Sequence, residues 1–113
     1  MALFHRLQVY HHSQLQVRYV ADLTRNLRFG DLANQMRRSA ISVVSNLVEG
    51  SGRISHRDAA RLLAIARASN DELAAQLEIA ANLTGADLQD VLNLNAITGR
   101  QLSGLIRYRD REP

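Results

Sequence analysis

Apolar residues recur along this chain at intervals of three and four, the spacing that lines side chains along one face of an α-helix. Four glycines interrupt this pattern: Gly30, Gly50, Gly52 and Gly85. The intervals between them predict helices over residues 7–28, 31–49, 55–83 and 87–108. Because the apolar–polar alternation of strands is missing, we expect an all-α fold.

Capping signals mark the ends of the two central helices. Asp31 is placed to cap the second helix, and Gly50 is placed to stop it. Ser55, with Asp58 three residues later, resembles a capping box at the start of the third helix, and Gly85 marks its end. Four helices with short connections favour an antiparallel up-down-up-down four-helix bundle. At this length we expect residues 1–113 to form a single domain.

The periodicity also predicts which positions face the core. In the first helix they fall on one line: Val9, His12, Gln16, Tyr19, Leu23 and Leu27. In the second they form a stripe of Leu32, Met36, Ala40, Val43 and Leu47. Neighbouring aliphatic residues widen that stripe to about half the circumference, whereas facing one core needs about 100°.

Other aliphatic residues also lie outside the predicted core stripes. Ile65, Ile79 and Leu83 lie off the main stripe of the third helix, and Gly99 and Gly104 lie inside the fourth, where glycine favours close helix–helix approach. We therefore expect a homo-oligomer in which several bundles pack side by side. A monomer with scattered surface aliphatic side chains is the alternative.

The composition narrows the compartment and the chemistry. The chain has no cysteine, which agrees with a reducing cytoplasm and leaves no disulfide or thiolate chemistry. No apolar run approaches the ~20 residues of a membrane span, and charge near the start argues against a secretion signal. The four histidines lack a chelating pattern with carboxylates, so we expect neither a metal nor a cofactor.

All 14 basic residues are arginine, and the net charge is +3. Arginine suits phosphate because its planar fork donates two parallel hydrogen bonds. The candidate phosphate contacts lie on the first and last helices: Arg18, Arg25, Arg100, Arg107, Arg109 and Arg111. The alternatives are an ordinary solvated face, or ion pairs with the acidic third helix of an adjacent subunit. The few aromatic residues do not support sequence-specific stacking on bases.

A second polar set lies around the second helix. It comprises Arg38, Asn46, Glu49, Arg53 and Glu72. We interpret it as a polar network that fixes helix register or a subunit seam, since arginine–carboxylate pairs are bidentate. A ligand or catalytic pocket is the alternative. Arginine neighbours would keep both glutamates ionised, which is a poor setting for a general acid, so we expect no enzyme and no catalytic residue.

The central motif also resembles a known family. Residues 35–40 (QMRRSA), Ser42 and residues 46–53 (NLVEGSGR) resemble the hallmark of the four-helix-bundle proteins encoded by 23S rRNA intervening sequences. Residues 7–10, 68–77 and 99–107 resemble further segments of that family. Ala68 stands where the family usually has glycine, and Val44 stands where proline is common. The connection between the first two helices is also short.

This resemblance implies an antiparallel bundle that assembles into a ring, typically a pentamer. It also implies similarity to the accessory variability determinant proteins of diversity-generating retroelements, which are basic pentamers that bind nucleic acid and a reverse transcriptase. We therefore expect a cytoplasmic, non-enzymatic homopentamer that binds RNA or DNA through arginine–phosphate contacts. The competing hypothesis is an oligomeric scaffold that docks a protein partner and binds no nucleic acid.

Overall fold

The computed structural model describes residues 3–110 and contains no β-strand within that range. A short 3₁₀ helix, Leu3–Arg6, precedes four α-helices: α1 (Gln8–Thr24), α2 (Gly30–Ser51), α3 (His56–Thr84) and α4 (Gln89–Asp110). α1 packs against α2 and α4, and α3 packs against the same two helices. α1 and α3 therefore lie on one diagonal, and the predicted all-α four-helix bundle is confirmed.

Local signals set both ends of α3, as the sequence predicts. The Ser55 hydroxyl accepts a hydrogen bond from the backbone N–H of Asp58 at 3.2 Å. At the other end Gly85 adopts φ +74°, a left-handed conformation that costs glycine little, and its N–H donates to the Ala81 carbonyl oxygen. The 29 residues between these caps span about 44 Å, most of the 47 Å length of the molecule.

The predicted end of α1 is wrong, because the helix stops at Thr24 rather than at residue 28. The cause is a contact from the next helix. The Arg37 guanidinium of α2 donates to the carbonyl oxygen of Thr24 at 3.2 Å and to its hydroxyl at 2.9 Å. The N–H of Leu27 also donates to the Thr24 carbonyl, which closes a turn there.

Both predicted caps of α2 are wrong. The helix begins at Gly30, so Asp31 lies in its first turn, where its charge complements the helix dipole instead of capping the end. The helix also runs through Gly50 and ends at Ser51. Gly50 is buried against α3, and a Cβ built on it would lie 3.1 Å from Cγ of Leu63. This glycine therefore permits close packing of α2 on α3.

The core consists of two apolar clusters at different heights in the bundle. One contains Val20, Met36, Ala40, Leu73, Leu77, Ala80 and Val91. The other contains Val9, Val43, Leu47, Leu63, Ala66 and Leu102. Between them lies a buried polar layer formed by Gln16, Asn70 and Asn95.

The predicted core line of α1 is only partly right. Tyr19 is 41% exposed, whereas Ser13, Val20 and Thr24 are buried. The two hydroxyls donate to carbonyl oxygens of the preceding turn, Ser13 to Tyr10 and Thr24 to Val20. Because these small side chains satisfy themselves within α1, they can face the core, although their polarity suggests a surface position.

Candidate nucleic-acid interface

A cleft of about 490 Å³ runs between α3 and α4. Three arginines and one aspartate supply its charges, so the cleft is basic. Its lining within the described range is Arg67, Asn70, Asp71, Asn95, Ala96, Gly99, Arg100, Ser103 and Arg107. We call this feature the α3–α4 cleft. It contains two of the arginines that the sequence predicts as phosphate contacts, Arg100 and Arg107.

Arg100 and Arg107 form the outer rim of the cleft. They are exposed and lie seven residues apart on α4, about 10 Å along the helix axis. Neither forms an ion pair with any residue between 3 and 110. Within that range, neither guanidinium group is committed to a carboxylate.

Arg67 lies on the α3 side of the cleft, and its guanidinium group already makes two hydrogen bonds within the chain. Its Nε donates to Asp71 at 3.3 Å, and its Nη1 donates to the carbonyl oxygen of Gly99 at 3.3 Å. Gly99 makes this crossing possible, because a Cβ there would lie 3.2 Å from Nδ2 of Asn70 and 3.7 Å from Nε of Arg67. The close approach that the sequence predicts at Gly99 is confirmed.

The floor of the cleft is part of the buried polar layer. Nδ2 of Asn70 donates to the carbonyl oxygen of Asn95 at 3.0 Å, and Nδ2 of Asn95 donates to the carbonyl oxygen of Asn70 at 3.0 Å. Gln16 of α1 closes the layer with two further side-chain hydrogen bonds. Neither asparagine was predicted from the sequence. Their signal is a polar residue at a core position, between Ala66 and Leu73 on α3 and between Val91 and Thr98 on α4.

The remaining predicted arginines lie away from this cleft. Arg25 pairs with Asp22 at 3.0 Å, and Arg18 borders a shallow depression on α1. Arg109 donates to the carbonyl oxygen of Arg53 at 2.8 Å, where the end of α4 meets the α2–α3 connection. Arg111 lies outside the described residues. The structure thus separates the predicted arginine set into different surfaces instead of joining it into one stripe.

The structure brings together only two residues of the predicted polar network around the second helix, Glu49 and Arg53. Arg53 lies 3.9 Å from the Glu49 carboxylate and 3.4 Å from that of Asp58. Within residues 3–110, Arg38 and Glu72 make no ion pair and no side-chain hydrogen bond. One continuous network inside the chain is therefore not formed, and a subunit seam stays a prediction.

Asn46 belongs instead to a separate hydroxyl cluster between α2 and α3. Its Nδ2 donates to the carbonyl oxygen of Ser42 at 3.0 Å and contacts the Ser42 hydroxyl at 3.1 Å. That hydroxyl lies 2.7 Å from the hydroxyl of Ser69. These side chains link α2 to α3, and no histidine takes part in the cluster.

The acidic partner of Arg53 and Arg61 is Asp58, which the sequence indicated only as part of the capping box. Arg61 donates two hydrogen bonds to Oδ1 of Asp58, at 2.8 and 3.2 Å, and Arg53 approaches the other oxygen. The hydrogen bonds from Arg61, with the charges of Arg61 and Arg53, hold the pKa of the Asp58 carboxyl below its ordinary value. The signal was its position three residues after Ser55 and three before Arg61.

Between residues 3 and 110, no three His, Asp or Glu side chains gather closely enough to hold a metal ion. Across the same part of the chain, no helix has both the length and the apolarity needed to cross a bilayer.

Comparison with known proteins supports the resemblance seen in the central motif. The family model of the 23S rRNA-intervening sequence proteins matches residues 5–104, which is most of the chain and includes the whole of α1, α2 and α3. A comparison with curated proteins finds no significant match.

Proposed function

Because the chain belongs to the 23S rRNA-intervening sequence protein family, we propose that it is a non-enzymatic, homo-oligomeric bundle that binds RNA or DNA through arginine–phosphate contacts. The observation that carries this proposal is the α3–α4 cleft. Arg67, Arg100 and Arg107 line it together with a single carboxylate, Asp71. Guanidinium groups bind phosphate oxygens through charge-assisted, bidentate hydrogen bonds.

The charge arrangement favours the cleft over α1 as the binding face. On α1, Arg25 is already paired with Asp22 and only Arg18 remains unpaired among the described residues. The cleft instead offers two arginines, about 10 Å apart on α4, that have no ion pair with any described residue. One nucleic-acid strand carries a phosphate about every 3.4 Å of helix axis, so this spacing spans about three phosphates.

Exposed apolar side chains on two opposite edges of the bundle support the homo-oligomer. The exposed aliphatic residues of α3 are Ile65, Ile79 and Leu83. They lie on the side of the helix that faces α2, as does Ser69, whose hydroxyl contacts Ser42 of α2. We call this set the α2–α3 strip. Gln76 lies on the same flank, and its buried Oε1 finds no hydrogen-bond partner in the described chain.

The opposite edge carries the α1–α4 strip, formed by Leu15, Tyr19 and Ile97. The hydrogen bond between His12 and Gln101 sets the register of these two helices and places the three residues at the same edge of the bundle. Two different apolar strips on opposite edges favour head-to-tail contacts, which close into a ring when the rotation between subunits allows it. Five is the subunit number that the family resemblance implies, and the cytoplasm stays a prediction from the cysteine-free sequence.

A salt titration tests nucleic-acid binding. The intact protein is titrated with a structured RNA and with duplex DNA from about 50 to 200 mM salt, where a protein with several phosphate contacts loses orders of magnitude in affinity. The double variant Arg100→Glu/Arg107→Glu is expected to weaken binding and to reduce the logarithmic salt slope by about 2 per bound cleft.

The matched control is Arg18→Glu/Arg25→Glu, which changes the net charge by the same amount on another helix. We expect it to retain most of the wild-type affinity. An equal loss in both variants contradicts the cleft assignment. If the wild type binds neither nucleic acid at 50 mM salt, the proposal is overturned and the protein-docking scaffold takes its place.

A further inference from the structure

We propose that the α3–α4 cleft binds one ribonucleotide unit of an RNA strand and therefore prefers RNA to DNA. Its phosphate would contact Arg100 at the rim, and its ribose 2′-hydroxyl would donate a hydrogen bond to the floor. Arg107, seven residues further along α4, would contact another phosphate of the same strand. This inference rests on the proposed nucleic-acid binding and narrows it to one ligand class.

The floor provides an unused acceptor. Asn95 is only 6% exposed, yet its Oδ1 accepts no hydrogen bond from any residue between 3 and 110. Its Nδ2 lies 3.0 Å from the backbone carbonyl oxygen of Asn70, which can only accept. The amide orientation is therefore fixed, with the nitrogen on Asn70 and the oxygen left for another donor.

Although the Asn95 residue is nearly buried, its Oδ1 is not one of the fully enclosed unpartnered atoms of the described chain, so it remains open to a donor that enters the cleft. Water can serve as that donor. A ribose 2′-hydroxyl can replace that water, since it is both a donor and an acceptor. A deoxyribose carries a C–H bond at the same position and leaves Oδ1 without a partner.

The rim complements this floor. Arg100 and Arg107 present guanidinium groups at the mouth of the cleft, and the half-buried hydroxyl of Ser103 lies between them on the same face of α4. Asp71 is held by Arg67 at 3.3 Å, which limits its repulsion of an entering phosphate. Donors for a phosphate and an acceptor for a sugar hydroxyl thus line one opening.

No aromatic side chain lines the cleft within the described range, so the cleft has no platform on which a base could stack. The contacts described above are made to the sugar–phosphate backbone alone. Binding is therefore expected to depend on the 2′-hydroxyl and to tolerate changes of base sequence.

A panel of three hairpins of identical sequence tests the inference with the intact protein. They are RNA, DNA and 2′-O-methyl RNA, each titrated at one fixed salt concentration. One neutral hydrogen bond corresponds to about 3- to 10-fold in affinity, so RNA should bind tighter than DNA by that factor. The 2′-O-methyl hairpin keeps the RNA helix shape but has no 2′-donor, and it should bind as weakly as the DNA.

A variant that fills the cleft links this preference to its floor. Ala96→Leu places a larger side chain in the cleft at an exposed position, and should abolish the difference between RNA and DNA. Ala75→Leu, at an exposed position of α3 outside the cleft lining, is the matched control and should keep the difference. Circular dichroism melting of both variants establishes that the bundle is intact.

The outcomes separate this inference from the function on which it rests. Equal affinity for RNA and DNA, with a steep salt dependence, overturns the ribonucleotide site and leaves phosphate binding in place. A 2′-O-methyl hairpin that binds as tightly as RNA means that helix shape is read instead of the hydroxyl, and also overturns it. An absence of binding to all three at low salt overturns both.

Discussion

Asn70 and Asn95 hold α3 and α4 together through a reciprocal pair of hydrogen bonds. Each side chain donates to the backbone carbonyl oxygen of the other residue, and both distances are 3.0 Å. A carbonyl oxygen in a helix has a second lone pair, so both bonds form without breaking the helical ladder. The pair fixes the register of α3 and α4. The two apolar clusters on either side of it would by themselves tolerate sliding of one helix along the other.

Removal of either amide should destabilise the bundle strongly. Asn70→Ala leaves Nε2 of Gln16 without its acceptor and the carbonyl oxygen of Asn95 without its side-chain donor, and we expect a loss of about 2–4 kcal/mol in the free energy of unfolding. Urea unfolding followed by circular dichroism measures it. Asn93→Ala, at an exposed position of α4, is the control and should change stability by about 0.5 kcal/mol or less. Similar small effects for both would show that the polar layer contributes little.

Alanine substitution at two helical glycines, Gly50 and Gly104, should change the free energy of unfolding in opposite directions. At Gly50 the new Cβ meets Cγ of Leu63 at 3.1 Å and the carbonyl oxygen of Ala59 at 3.3 Å, so α2 and α3 must separate. We expect Gly50→Ala to destabilise the protein by about 1–2 kcal/mol despite the better helix propensity. At Gly104 the nearest atom is 4.0 Å away, and Gly104→Ala should stabilise by up to about 1 kcal/mol.

Thermal and urea unfolding of both glycine variants check this prediction. The geometry at Gly104 also corrects the expectation that a neighbouring helix approaches it closely. Within the described chain no helix packs closely against Gly104, unlike Gly99, so no contact inside one subunit requires a glycine there. Equal stabilisation by both substitutions would contradict the close packing at Gly50.

The proposed head-to-tail assembly makes a distinctive prediction for mixed variants. Ile79→Asp damages only the α2–α3 strip, and Ile97→Asp damages only the α1–α4 strip. Each variant alone should lose the ring, because every contact needs both strips. An equimolar mixture should recover a heterodimer, since each partner keeps the strip that the other needs.

Light scattering after size exclusion measures these masses against the 12.6 kDa chain. Ile54→Asp, at an exposed position of the α2–α3 connection outside both strips, is the control and should leave the assembly unchanged. A wild-type protein that remains at 12.6 kDa contradicts the homo-oligomer. Variants that dissociate without any recovery on mixing contradict the head-to-tail arrangement.

The start of α3 should show a pH-dependent contribution to stability. Because the pKa of Asp58 is lowered in the folded chain, its ion pair stabilises the fold at pH values above the unfolded pKa, near 3.8. This contribution is lost as pH falls through the folded pKa. Arg61→Gln removes the hydrogen-bonding partner and should raise the pKa of Asp58 towards 3.8.

A carbon-13 NMR titration of the carboxyl groups measures this shift. Arg25→Gln is the control, because Arg25 bonds Asp22 in a similar three-residue arrangement and does not contact Asp58. It should leave the titration of Asp58 unchanged. A pKa of Asp58 that is the same in wild type and Arg61→Gln would contradict the role assigned to this hydrogen bond.

Much of the candidate site was not predictable from single positions. The sequence identified Arg100 and Arg107 from their spacing on α4, and the fold places both on one cleft. It gave no sign that Arg67 joins them, because Arg67 reaches the carbonyl oxygen of Gly99, 32 residues away. Arg38 and Glu72 were grouped by helix face alone, and the geometry between helices does not bring them together in one chain.

The sequence by itself determined those features of the fold that depend on neighbouring residues. Helical periodicity predicted four helices, and the Ser55 cap and the left-handed Gly85 set the ends of α3. Such signals suffice because a cap and a turn involve residues within four positions of one another.

Only the tertiary structure decided the end of α1, the role of Gly50 and the polar floor of the cleft. Each depends on a partner from another helix: Arg37 on Thr24, Leu63 beside Gly50, and Asn95 on Gln16, 79 residues apart. A hydroxyl or amide at a core position looks like a surface residue until the fold supplies its hydrogen-bond partner. Packing between helices therefore fixed the site, whereas local chemistry fixed the helices that carry it.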